Sequence, residues 1–400
     1  MARFHSLVFL GVLAAVPSPS LAQSVEPAPA TSAPEASSGS EWSIKPRGRL
    51  QVDVADVDAP AAIPGDGFGT ETEIRRAYLG VDGTLPGNFG YRIEADFAGE
   101  SVQFTDVYLT YKPADGLTLT LGQHKPFSGL EEQTSDLFTS MLERAAFNSA
   151  FGFERRIGLS GAYSRGDLLV QAGAFTVHTA DLDADDDSYG FDGRVVFSPQ
   201  VGPGELHIGG SAHLRELRGD DAGTVRYRAR PFAHTTDTRL VDTGSIAASG
   251  ERSFGAELAY ITGPFHATLE GHRITALRPG LSNPSFWGGY AEVGMLVTPG
   301  DQTGYRGGTY DRIRPANPVT EGGIGAIQLN ARYDRLDLND GPITGGMQQA
   351  LGLSVVWVPV ASLRFVANYG RLWISDAAIP AGTDRDYRVD TLGVRAQFDF

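Results

Sequence analysis

From Arg47 to the C-terminus, apolar and polar residues alternate with a period of two over stretches of about ten residues, again and again. Phe89, Tyr91, Ile93, Ala95 and Phe97 interleave with Gly90, Arg92, Glu94 and Asp96. Ile327, Leu329, Ala331 and Tyr333 interleave with Gln328, Asn330, Arg332 and Asp334. Successive side chains of an extended chain point to opposite faces, so each stretch predicts a strand with one greasy and one wet face. Such strands are read near residues 47–54, 73–83, 87–98, 101–111, 117–123, 155–164, 168–177, 188–198, 204–215, 252–262, 264–275, 285–298, 324–336, 347–358, 362–374 and 387–400.

Alternation by itself serves a soluble sandwich equally well, because its strands also carry one apolar and one polar face. The last strand separates the two. Leu392, Val394, Ala396, Phe398 and Phe400 share one face, Gly393, Arg395, Gln397 and Asp399 the other, and the chain stops at Phe400. A final amphipathic strand ending in Phe resembles the terminal signal of bacterial outer-membrane barrels. Sixteen strands is the even number that a closed antiparallel barrel needs with both termini on the periplasmic side. The fold class expected is all-β: a transmembrane antiparallel barrel of about 16 strands with inward-folded loops.

Connection lengths agree with that parity, since periplasmic turns should be short and external loops longer. Leu85–Gly87, Pro113–Gly116, Ser164–Asp167, Thr262–Pro264 and Pro359–Ala361 all fall on the periplasmic side. External loops then cover 55–72, 124–154, 178–187, 216–251, 337–346 and 375–386. Residues 299–323, with Tyr305, Arg306, Tyr310, Arg312 and Arg314, are long yet fall on the periplasmic side: either the parity fails there or this turn folds back into the lumen.

The N-terminus sets the compartment. Arg3 precedes an apolar run from Leu7 to Val16, then Pro17, Pro19 and the small-residue site Ser20-Leu21-Ala22. That is a secretory signal peptide over 1–22, cut before Gln23; a spanning helix would need roughly 20 apolar residues. Residues 23–46 read as a flexible periplasmic leader, its first part rich in Ala, Pro, Ser and Glu, and 47–400 as the barrel. The chain has no Cys, which removes disulfides and thiol chemistry. Its 50 Gly and 23 Pro suit many short strands ended by turns. A formal charge of -15 argues against nucleic acid as a partner. It does not set pore selectivity, which depends on the charges at the constriction.

A sixteen-stranded barrel encloses an aqueous channel, so the candidate chemistry lies in whatever narrows and charges it. The loop from His124 to Glu154 carries Gly122-Gln123-His124-Lys125-Pro126-Phe127 and Met141-Leu142-Glu143-Arg144, and leads into Phe153-Glu154-Arg155-Arg156-Ile157-Gly158. Folded inward, it would set both radius and charge. Arg226, Arg228 and Arg230 sit at spacing two, which in extended chain puts three guanidiniums on one face about 7 Å apart. Such a row offers an entering anion successive bidentate sites, although lipopolysaccharide phosphates would suit the same residues. Alternation places Arg76 on the polar face with Tyr78, Gly80 and Asp82, making it a better pore residue than Arg75; Asp96 could orient such cations or pair with one. The run Asp181–Asp187 invites a calcium reading, but lacks Gly at the sixth place of an EF-hand loop and flanking helices. Neither a nucleophile elbow, a phosphate-binding loop nor a His-Glu-x-x-His zinc motif is present. No enzyme and no cofactor is expected.

Several stretches resemble the phosphate-selective porins of the O/P type: Glu73-Ile74-Arg75-Arg76-Ala77-Tyr78-Leu79-Gly80-Val81, Gly122–Phe127, Glu154–Gly158, Arg226–Pro231 and Thr262-Gly263-Pro264-Phe265. The resemblance implies a trimer with inward loops, an arginine ladder at Arg226, Arg228 and Arg230, and a narrow anion site formed by Lys125, Arg75 and Arg76 with Asp96 nearby. It also implies a periplasmic turn folded into the lumen. Glu131, Glu132 and Glu143 in the same loop depart from a purely cationic site and would weaken a phosphate preference. The expectation is an outer-membrane pore for passive diffusion of small anions, phosphate or polyphosphate among them, in contact with outer-membrane lipid and lipopolysaccharide. The competing readings are a barrel receptor or adhesin without channel function and a non-selective porin.

Overall fold

The computed structural model describes residues 41–182, 187–218 and 223–400. The segments expected to be signal peptide and most of the expected leader lie outside the described residues, as do Asp183, Asp185 and Asp186 of the acidic run. Among the described residues, sixteen long strands form the wall: β1 Ser43–Asp58, β2 Gly69–Leu85, β3 Phe89–Asp96, β4 Gln103–Ala114, β5 Leu117–His124, β6 Arg156–Arg165, β7 Leu168–Phe175 and β8 Tyr189–Phe197, then β9 Gly204–Glu216, β10 Gly250–Thr262, β11 Phe265–Leu277, β12 Ser285–Leu296, β13 Ala326–Asp340, β14 Ile343–Val360, β15 Leu363–Ser375 and β16 Tyr387–Asp399. Each pairs antiparallel with the next, and Gln200–Val201 adds a two-residue pair at the foot of β9. The barrel starts at Ser43, so the stretch read as leader ends earlier than expected.

Closure is the seam between β1 and β16, running from Arg49 opposite Asp399 to Asp58 opposite Asp390. Below it, Gly48 and Phe400 exchange both backbone hydrogen bonds at 3.1 Å. A Cβ at position 48 would lie 2.5 Å from the Phe400 ring, so glycine there lets the terminal ring cover the seam. No open edge remains, which is the condition for a sheet in hydrocarbon, where each unpaired backbone group costs several kcal/mol.

The direction of burial excludes a soluble sandwich. Along β16, Leu392, Val394 and Phe398 are exposed whereas Arg395, Gln397 and Asp399 are buried. Along β1, Leu50 and Val54 are exposed whereas Arg49, Gln51 and Asp53 are buried. A protein that turns aliphatic residues outward and charges inward on strand after strand is built for a lipid surround and a wet interior.

The five short turns expected on the periplasmic side all lie at one end of the barrel, as alternating antiparallel strands require. The expected external loop 337–346 is instead mostly strand: β13 runs to Asp340, β14 resumes at Ile343, and Gly341-Pro342 forms the turn between them. Residues 299–323 keep their place among the short turns and fold into the lumen. Gly304–Arg306 pairs with Thr309–Asp311. Tyr305 hydrogen-bonds His207 on β9, Tyr310 meets Thr268 on β11, and Arg194 on β8 donates to the Gly308 carbonyl at 2.8 Å.

The lipid-facing assignment is testable at Leu353, 47% exposed in mid-strand on β14. Leu353→Arg is expected to destabilise the barrel in lipid vesicles by roughly 2–4 kcal/mol, read from urea unfolding. A loss within about 0.5 kcal/mol, as on a water-facing sheet, would contradict it.

Candidate functional site

The loop after β5, residues 125–155, leaves the wall and crosses the lumen. It carries two short helices, Leu130–Gln133 and Ala146–Ala150, and most of its residues are buried. It docks mainly on β11 to β16, while its Asp136 and Glu143 side chains pair with arginines of β1 and β2. The Glu131 N–H donates to Glu270 on β11 at 2.9 Å, and the Ser140 hydroxyl to Glu292 on β12 at 2.6 Å. The Ala146 N–H donates to Asp334 on β13 at 2.8 Å, and the Leu142 N–H to Asn368 on β15 at 3.2 Å. From the wall, Arg395 donates to the Leu142 carbonyl at 2.9 Å and Gln397 to that of Leu137 at 3.1 Å.

At the centre of this dock, Arg332 on β13 bridges Glu131 of the loop and Glu292 of β12. All three side chains are at most 5% exposed, which isolated charges could not tolerate. Burial pushes the Glu131 carboxyl up to about 7, against the pull of Arg332. Hydrogen bonds from the Ala145 N–H and the Asn148 amide, both 2.8 Å, hold it as well.

A second external loop, between β9 and β10, also enters the lumen. Tyr227, Ala229, Phe232, Leu240 and Val241 join the same buried apolar cluster as Met141 and Phe147. Arg228–Ala229 pairs with Val241–Asp242, so the odd residues turn into the cluster and Arg226, Arg228 and Arg230 turn away from it. The expected ladder therefore exists as a face, but two of its rungs are occupied. Arg226 chelates Asp242, at 2.5 Å for the closer contact, and Arg230 pairs with Asp237 at 2.7 Å. Arg228 makes no ion pair among the described residues.

What the two loops leave open runs along the opposite half of the wall. Three cavities follow one another among the described residues. A vestibule of about 670 Å³ is lined by Arg226, Arg228, Arg239 and Asp237. Arg228 and Arg239 also line the next, about 670 Å³, which holds Arg75, Arg76, Asp96, Lys125, Arg144 and Arg230. Lys125, Asp136 and Arg155 lie between this cavity and a third of about 320 Å³, bordered by Arg49, Arg92, Tyr108, His124 and Arg194 of β1 to β8. Shared lining residues place the three cavities in series, with Lys125, Asp136 and Arg155 at the junction of the second and third.

The constriction is cationic but densely paired. Arg76 meets Asp136 at 2.8 Å, Lys125 meets Glu132 at 2.9 Å and Arg155 meets Asp106 at 2.6 Å. Burial alone would raise the Asp136 carboxyl, yet Arg49 and Arg76 hold it well below the usual carboxylate range. Burial pushes the Lys125 ammonium down to about 8, with Arg144 and Arg155 adding to the fall and Glu132 opposing it.

The sequence profile of the family described as phosphate-selective porin O and P matches residues 44–400. The chain belongs to that family. Porin O of Pseudomonas aeruginosa is 27% identical over 336 residues, covering 76% of this chain and 75% of the relative. An uncharacterised protein of Caulobacter vibrioides is 42% identical over 380 residues, covering 92% of this chain and 76% of the relative. Among solved structures, an anion-selective porin from Comamonas acidovorans superposes with a TM-score of 0.60 at 13% identity, covering 90% of this chain and all of that one. OmpT of Vibrio cholerae gives 0.58 at 11%, covering 90% and 98%. The protein is thus an outer-membrane porin, and the path between its loops is a pore.

Two sequence expectations about this porin need correction. Strict alternation placed Arg75 on the lipid side, but a bulge intervenes: Gln51 faces Arg76 while Val52 faces Ile74, leaving Arg75 as the extra residue. Both arginines then turn inward, and Arg75 binds Glu143 at 3.0 Å. Asp96 lines the cavity but makes no ion pair among the described residues; it accepts from the backbone N–H groups of Ala77 and Ala98. Its part is to end β3, not to orient a cation. Lys125 stands where expected. Glu132 and Glu143 are at the site, while Glu131 is turned away to the dock.

Sequence reading missed Arg49, Asp136 and Arg239. Arg49 shares the wet face of β1 with Gln51 and Asp53, so alternation contained the signal. Arg239 and Asp136 sit in irregular loop, where no period points to a direction. The acidic run weighed for calcium, Asp181–Asp187, lies mostly outside the described residues.

Arg332→Leu is expected to leave Glu131 and Glu292 buried without their cation, costing about 3–5 kcal/mol. Single-channel recordings should show a released loop, as larger and noisier conductance. Unchanged conductance with unchanged unfolding would show that the dock is not held by this arginine.

Proposed function

We propose that this porin is a water-filled, anion-preferring channel for passive diffusion of small solutes, with phosphate among those admitted. The observation that carries the reading is a line of cations along the path in a chain whose formal charge is -15. Arg226, Arg228 and Arg239 stand at the mouth, Arg75, Arg76 and Lys125 in the middle, Arg92 and Arg194 beyond. Field lines focus in a narrow channel with low-dielectric walls, so local sign outweighs net charge. The arginines of the 226–230 row face vestibule and cavity, which favours a role with solutes over one with lipopolysaccharide.

In this reading Arg75, Arg76, Lys125, Arg226, Arg228 and Arg230 line the anion path, Asp96 supports the strand end beneath it, and no reaction is catalysed. The name of the Comamonas acidovorans neighbour, anion-selective porin, agrees with it. The Vibrio cholerae neighbour is recorded in a trimer form, and a homotrimer is proposed here too, its outward aliphatic band in contact with outer-membrane lipid and lipopolysaccharide at the rim. Residues 1–22 would direct export and then be removed, leaving the residues from 23 up to the first strand as a periplasmic leader.

Purified protein in a planar bilayer under a potassium chloride gradient should give a reversal potential favouring chloride. Arg228→Gln together with Arg239→Gln should cut the chloride-to-potassium permeability ratio several-fold, because these are the least compensated cations on the path. A cation-favouring potential would refute the reading.

The ammonium of Lys125 is charged below about 8 and neutral above it. Raising the pH from 6.5 to 9.5 removes that charge and leaves Glu132 in place, so anion preference should fall, with a midpoint near 8 that Lys125→Met abolishes. A flat profile would place Lys125 outside the selective region.

A further inference from the structure

The cavity between the vestibule and the constriction holds two features that a site for small inorganic anions does not need. The first is how few of its cations are free. Arg75 is taken by Glu143 at 3.0 Å, Arg76 by Asp136 at 2.8 Å, Lys125 by Glu132 at 2.9 Å and Arg230 by Asp237 at 2.7 Å. Arg228 has no ion pair among the described residues, and Arg239 lies 3.9 Å from an Asp237 that is 94% exposed. Burial and the adjacent Arg230 and Arg228 guanidiniums pull Arg239 down to about 10, the mark of positive charge that is not compensated locally. Arg228 and Arg239 are the least compensated cations of the cavity; an anion seated elsewhere in it would have to compete with the carboxylates around it.

The second feature is an apolar wall. Leu142, Phe153 and Phe232 line the same cavity as Arg228 and Arg239. Phe232 is held there at some cost. Its φ is +61°, a conformation that strains a bulky side chain. The ring lies against bare backbone: a Cβ at Gly352 or Gly370 would stand 3.0 or 2.7 Å from it. The Thr391 hydroxyl fixes the preceding turn by donating to the Pro231 carbonyl at 3.0 Å. Beside it Gln348 is fully buried, and neither its amide oxygen nor its nitrogen has a partner among the described residues. At about 670 Å³ the cavity matches the size of sites that enclose organic molecules.

We infer that this cavity is a binding station for organic monoanions with a flat apolar body, aryl carboxylates being the simplest case. The carboxylate docks on Arg228 and Arg239, the body rests against Phe232 and Phe153, and the Gln348 amide is available to a polar ring substituent. The inference rests on the anion-channel reading and narrows it, by ranking such anions above both acetate and phosphate. Covering roughly a third of an aromatic side chain's about 200 Å² at about 25 cal/mol per Å² gives roughly a tenfold gain over an anion without a ring.

The test is block of the chloride current through single channels by acetate, benzoate and inorganic phosphate, with the reversal potential measured in the same membranes. Benzoate should half-block at about one tenth the concentration of acetate, and below that of phosphate. Phe153→Ala and the milder Phe232→Leu should each shrink the benzoate-to-acetate ratio, whereas Arg228→Gln should weaken both blockers in parallel. Equal block by acetate and benzoate, stronger block by phosphate, or a ratio untouched by both phenylalanine variants would overturn the inference. If the reversal potential favours chloride while the ratio is near one, only the binding station fails; if it favours potassium, the channel reading fails with it.

Discussion

Backbone hydrogen bonding in a medium without water governs this molecule. An N–H or C=O that meets hydrocarbon unpaired costs several kcal/mol, so a sheet in a bilayer must close on itself. Here the closing bonds join the first strand to the last, and Phe400 ends the chain on that seam. Everything else follows from having a closed wall. The alternate residues that face lipid must be apolar, those that face inward are free to be charged, and the enclosed space must be partly filled or it conducts without discrimination.

Filling that space is a problem of burying charge. The lumen carries many ionisable side chains per turn of wall, and the structure disposes of them by pairing. On the β11 to β16 side the pairs serve to hold the crossing loop, with Arg332 between Glu131 and Glu292 and Arg395 between Asp53 and the Leu142 carbonyl. A buried pair of this kind adds little net stability over an apolar contact, but its removal by halves is costly, so it enforces one docking geometry. On the β1 to β8 side equally close pairs edge the cavities. Half of the barrel is thus structural interior and half is pore.

The division explains why cations dominate the path of an acidic protein. Part of the carboxylate complement is taken up in the dock, where Glu131, Glu270, Glu292 and Asp334 receive loop N–H groups or Arg332, while Asp106, Glu132, Asp136 and Glu143 pair with cations along the path. Selectivity arises from what remains unpaired, since a compensated arginine attracts an ion weakly and a salt-screened one hardly at all beyond about 10 Å. By that measure Arg228 and Arg239 weigh more than the paired residues at the narrowest point.

The strand count, the order and the outward face of the barrel were legible in the amino-acid sequence, because a period of two is a local property that each strand repeats. The end of the last strand was legible for the same reason, as was the common face of Arg226, Arg228 and Arg230. What the sequence could not decide is whatever depends on contacts across the lumen. The bulge at Arg75 turns two neighbouring arginines to one side, and nothing local distinguishes it from regular strand. The docking of loop 125–155, the pairing that spends Lys125 and Arg230, and the arrival of Arg239 and Phe232 in one cavity join residues far apart in the chain. Periodicity reports which way a side chain points from its own backbone; only the folded wall determines what it meets there.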